Sequence, residues 1–169
     1  MSKTQLKKEL ATMDREQIIQ VVLDAYSARK ETRDYFEFFL NPDVDKLYDK
    51  TLAAIDKELM RGKHGRNTSR ITVIRRAIKE FSAYDPGAEY VLRMMLDTLN
   101  HILIREKYVY YKETFEKGVH KLIDDIMAYA DAHALVDTAA GRLHEMSRDM
   151  NLGTASFRGR MLRRFMFLS

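Results

Sequence analysis

The chain has no cysteine, two prolines and seven glycines in 169 residues. Without cysteine there is no disulfide, no thiolate metal site and no cysteine nucleophile. That composition suits a reducing compartment, and a cytoplasmic location is expected. Scarce glycine and proline, with abundant Leu, Ala, Lys, Glu, Arg and Met, favour helix throughout. No apolar run approaches the roughly 18 residues that span a bilayer. The opening MSKTQLKKEL is charged and no apolar segment follows it, so a signal peptide is not expected.

The longest apolar length is Pro86–Ile104. Val91, Leu92, Met95, Leu96, Leu99, Ile102 and Leu103 follow the helical three-four spacing, and Met94 and Ile104 widen the stripe. A helix apolar on most sides is interior, so the others are predicted to pack around it.

The remaining helices read off in order. Ser2–Leu10 is short. Asp14 with Gln17 three residues on has the spacing of a capping box, before Ile18, Val22 and Tyr26. Tyr35, Phe36, Phe39 and Leu40 form an aromatic face. Asn41-Pro42 and Asp85-Pro86 are predicted to open helices, because proline is favoured at the first helical position. A basic loop with Gly62 and Gly65 follows Leu59. Thr68 or Ser69 is predicted to cap the next helix, with Ile71, Ile74, Ile78 and Phe81 inside and Arg75, Arg76 and Lys79 opposite. Phe115 to Ala130 and Leu135 to Met150 complete the set. The fold predicted is all-α: one domain over 1–150 of about seven helices and no strand, then a basic amphipathic tail over 151–169. Short links favour a right-handed stack of antiparallel helix pairs of the HEAT or armadillo kind; the alternative is a compact multi-helix bundle.

Leu6–Leu10, Met13–Ile18 and Tyr35–Pro42, followed by the basic stretch Arg61–Phe81, resemble a bacterial family of unknown function found largely in Bacteroidetes. The resemblance spans about residues 3–81. It implies an all-helical fold and no activity, so no functional residue carries over. The tail from Phe157 has no counterpart in it.

Charge is unevenly placed. Arg61, Lys63, Arg66, Arg70, Arg75, Arg76 and Lys79 form a stretch with no acid, as do Arg158, Arg160, Arg163 and Arg164 in the tail; elsewhere 18 basic residues meet 25 acidic ones. Two basic segments on an acidic body can hold a phosphate backbone. The plainer reading is a solvated helix face paired with the body's own acids. The tail can lie on an anionic surface or fold back with Phe157, Met161 and Phe165. His120 with Asp124 and His133 with Asp137 stand one turn apart, but no Glu-x-x-His pair occurs and no metal or cofactor is expected. Tyr108, Tyr110 and Tyr111 read as covers of helix ends. No nucleophile triad or nucleotide fingerprint occurs, so nothing supports catalysis. The function expected is a non-catalytic helical surface for a protein partner or a second copy. The alternative is nucleic-acid backbone binding through residues 61–79 and the tail.

Overall fold

Asp14 accepts a hydrogen bond from the Gln17 amide at 2.8 Å, and Gln17 Oε1 accepts one from the Asp14 amide at 3.0 Å. This reciprocal cap, legible in the sequence, starts the second of eight helices in a computed structural model that describes residues 2–63, 66–106 and 108–148. The helices are α1 (Lys3–Leu10), α2 (Arg15–Ala28), α3 (Lys30–Leu40), α4 (Val44–Leu59), α5 (Ile71–Ser82), α6 (Ala88–Arg105), α7 (Glu113–Ala132) and α8 (Val136–Arg148). Two compact units divide them, Met1–Asp43 and Val44–Ser169, where one domain over 1–150 was expected.

In the first unit α2 packs on α3. The Tyr26 hydroxyl lies 3.3 Å from Glu37 Oε1, and the Arg33 guanidinium covers the Tyr26 ring at 5.5 Å. None of the residues of α1, α2 or α3 is buried.

The second unit is built on α6. Val91, Leu92, Met94, Met95, Leu96, Leu99, Ile102 and Leu103 are all buried, as the stripe predicts, and Thr98 is buried beside them. Ile104 is the exception, at 44% exposure. Full burial of a side chain of this size contributes about 1.5–3 kcal/mol. Helix α6 touches α4, α5, α7 and α8. Helices α4, α6 and α8 pack side by side, as do α5 and α7, and sequence neighbours pack across the two sets. Within a set the helices run parallel. Asp45 meets Tyr90, Tyr48 meets Asp97, Asp56 meets His101 and Leu59 meets Arg105, advancing in step along α4 and α6. The result is an all-helical unit of two layers.

The basic loop closes as a minimal antiparallel pair, β1 (Gly62–Lys63) with β2 (Arg66–Asn67), two residues each and too short to change the all-helical class. Two local expectations give way to tertiary or backbone chemistry. Neither proline sits at the first helical position. Helix α4 begins at Val44, and α6 begins at Ala88 after Asp85 (φ 52°) and Gly87 (φ 99°). The left-handed turn at Gly87 suits a residue without a Cβ, and it sets the entry of the central helix. Ser69 does not cap α5. Its hydroxyl donates to the Leu59 carbonyl at 3.0 Å, while Glu58 Oε1 accepts from the Arg70 amide at 2.9 Å.

Candidate interaction groove

The basic segment is predicted as one stretch of charge. The structure divides its side chains between two places. At the end of α4, Glu58 Oε1 lies 3.1 Å from Arg70 Nε and 3.8 Å from Arg61 Nη1. The hydrogen bonds from Arg70 hold the Glu58 carboxyl below the usual carboxylate range. These two arginines pin the loop to α4. Lys63 and Arg66 pair through their backbones in the hairpin, and their side chains lie outside the described residues.

The other three cations lie on α5 and line a groove of about 410 Å³. Helices α5 and α7 form its walls and α6 its floor. Ile78, Val91, Met95 and Leu122 supply an apolar bed, while Arg75, Arg76, Lys79, Ser82, Asp125 and Tyr129 supply the polar rim. Arg75 Nη2 forms an ion pair with Asp125 Oδ2 across the groove, in line with the plainer reading of a helix face paired with the body's acids. Arg76 Nε lies 3.6 Å from Glu80 Oε1 on the same helix. Among the described residues Lys79 forms no ion pair. Burial, and then the charge of Asp85, raise the Tyr129 pKa above that of free tyrosine, so its hydroxyl stays a neutral donor. Asp125 and Tyr129 escaped notice in the sequence. Their signal was present: Leu122, Asp125 and Tyr129 share one face of α7 at spacings of three and four.

A second cleft, of about 320 Å³, lies between α6 and α8 and is lined by Leu92, Arg93, Leu96, Asp97, Leu135 and Arg142, among others. Asp97 is its hub. The Tyr48 hydroxyl donates to Oδ2 at 2.5 Å, Arg142 Nη2 donates to Oδ1 at 3.3 Å, and Arg93 Nε lies 3.7 Å from Oδ2. Arg93 also covers the Tyr48 ring at 4.9 Å. Burial and then the Asp97 hydrogen bond raise the Tyr48 pKa far above its ordinary value. With its acceptor sites met from three helices, Asp97 ties elements together.

The remaining candidates scatter. His101 Nδ1 lies 2.6 Å from Asp56 Oδ1, and the His133 ring packs on Tyr129. Among the described residues no group of three or more His, Cys, Asp or Glu is placed to hold a metal, and no helix is long and apolar enough to cross a membrane. Tyr108 and Tyr110 are exposed, but Tyr111 is buried and stacks on Phe115 at 4.3 Å. Tyr111 thus departs from the helix-end cover expected of it. Arg158, Arg160, Arg163 and Arg164 lie outside the described residues, and with them the whole tail.

Fold and groove together define an all-helical protein with a mixed apolar and charged surface furrow. The chain belongs to DUF6155, a family of unknown function, which matches residues 1–154. No curated protein and no solved structure matches the chain.

Proposed function

We propose that the protein is a non-catalytic helical interaction protein whose α5–α7 groove receives an acidic amphipathic segment of a protein partner. The observation that carries this reading is the pairing of an apolar floor with a cationic rim. Helix-in-groove recognition uses such a site: apolar side chains enter the furrow and charges at the rim set direction and partner choice. Lys79 and the exposed guanidinium of Arg76 meet the acidic face, and the floor takes the apolar one. The two-layer order of α4–α8 supports a helical-repeat scaffold of the HEAT or armadillo kind, presenting a furrow between two helices of one layer. The absence of cysteine suits a cytoplasmic protein.

Nucleic-acid binding is the second reading, and the ion pairs count against it. Arg61 and Arg70 are taken by Glu58 and Arg75 by Asp125. A phosphate backbone gains nothing from an apolar floor.

The test is a photo-crosslinking amino acid placed at Ser82 of the full chain, produced in its own cell. The crosslinked segment is sequenced. An acidic amphipathic polypeptide is expected, and Arg76→Glu with Lys79→Glu removes the crosslink. Crosslinking to nucleic acid overturns the reading. So does tight binding of a 20-nucleotide single strand that weakens steeply with salt and is lost in Arg75→Glu with Arg76→Glu.

A further inference from the structure

The α5–α7 groove differs between its two ends. Gly118 of α7 meets Ile71 of α5 at one end, the Arg75–Asp125 ion pair crosses further on, and Ser82 and Tyr129 line the other end. Helices α5 and α7 therefore run the same way and finish together at this mouth, α5 at Ser82 and α7 at Ala132. Each brings the negative end of its dipole there. Helix α7 has no basic residue in its last turn to offset that end. The positive start of α6 lies beneath the mouth, but Glu89 in its first turn opposes it. Asp85 adds a full negative charge. It is exposed, its amide donates to the Ser82 carbonyl at 3.1 Å, and its charge acts on the Tyr129 hydroxyl. The rim cations Arg75, Arg76 and Lys79 all stand before the mouth. The groove thus runs from a cationic stretch to an anionic mouth.

We infer that the groove's partner is a helix bound antiparallel to α5 and α7, its N-terminal turn at the Ser82–Tyr129 mouth and its acids C-terminal to its apolar residues. The inference rests on the reading of this groove as the site of an acidic amphipathic segment. A helix N-terminus carries unpaired N–H groups and the positive end of the dipole, which suit Asp85 and the two helix ends beside it. The reverse orientation would set a third negative helix end against them. Arg75 and Ser82 stand seven residues apart on α5, about 10 Å, so the groove holds about two turns of the partner. An apolar pair one turn apart covers Ile78, Val91, Met95 and Leu122. Acids in the next turn reach Lys79 and the exposed guanidinium of Arg76. Free helices gain from acids in their first turn, so this order of apolar residues first and acids last marks out the partner.

The test uses the full chain and two synthetic peptides of about 15 residues, each held helical by a side-chain staple and with both termini blocked. Their compositions are identical, with leucines one turn apart. One has its glutamates in the C-terminal half, the other in the N-terminal half. Fluorescence anisotropy is expected to show the first binding about fivefold more tightly. A photo-crosslinker at Ser82 should capture its N-terminal residues, and one at the exposed Thr72 its C-terminal residues. Asp85→Lys should remove the preference, while Arg76→Glu with Lys79→Glu should weaken both peptides. Equal binding, tighter binding of the second peptide or the opposite crosslinks overturns the inference. If Arg76→Glu with Lys79→Glu still weakens both, the groove reading survives that failure. Neither peptide binding, or binding of both untouched by that double substitution, overturns the groove reading and this inference with it.

Discussion

Gly118 of α7 lies against the side chain of Ile71 at the start of α5. A Cβ at Gly118 would stand 2.8 Å from Ile71 Cγ1 and closer still to Cγ2. Ile71 is β-branched and stiff, so it cannot swing aside. Gly118→Ala gains helix propensity of about 1 kcal/mol. Overpacking of this kind costs about 1–3 kcal/mol. Strain wins, and a net loss of about 1 kcal/mol is expected in urea unfolding. Adding Ile71→Ala should relieve it, so that the double variant is more stable than the two single losses added together.

The Leu59 carbonyl accepts from Arg105 Nε at 2.9 Å, Ser69 Oγ at 3.0 Å and Asn67 Nδ2 at 3.3 Å. These donors satisfy the end of α4 and close the basic loop upon it. A bond from a charged donor contributes about 1.5–3 kcal/mol, against about 1 for a neutral one. Arg105→Ala should therefore cost more than Asn67→Ala or Ser69→Ala. Because the three share one acceptor, the losses should not add, which thermal unfolding of the combined variants will show.

Asp97 has three partners of unequal worth. Arg142 is half-exposed, and an exposed ion pair contributes at most about 1 kcal/mol. The Tyr48 hydroxyl belongs to a buried ring. Asp97→Ala leaves it without its acceptor, at about 1–3 kcal/mol. Chemical unfolding should rank Asp97→Ala well below Arg142→Ala in stability.

Stability should fall at both ends of the pH scale. Burial pushes the Tyr111 hydroxyl up to about 12. A folded-state pKa above the unfolded value of about 10 contributes stability that is complete below pH 10 and lost as pH rises towards 12. Tyr111→Phe should flatten that alkaline slope. Glu58 shifts the other way, because its carboxylate is held by Arg70. Its contribution is present above its unfolded pKa and lost as pH falls through the lower folded value. Glu58→Gln should reduce the acid slope while leaving the alkaline one unchanged.

The interior was legible in the sequence because the helical period of Val91–Leu103 reports burial directly. The capping box at Asp14 was legible for the same reason: both partners are local. What escaped depends on elements distant in the chain. Gly118 reads as a mild helix breaker until α5 is seen against it. Arg75 reads as paired with some acid of the body, but that the acid is Asp125, fifty residues on, shows only once α7 is brought opposite. Ser69 reads as a helix cap until the Leu59 carbonyl competes for its hydroxyl. The proline rule failed at Pro42 and Pro86 because one further residue, Asp43 or Gly87, stands between each proline and the first helical residue.

Native-state hydrogen exchange of the full chain tests most directly the claim that α6 is the interior of the second unit. The amides of Leu92–Leu103 should exchange slowest, at the rate set by global unfolding, with α5 and α7 next. Exchange in α6 as fast as in α1–α3 would contradict the account.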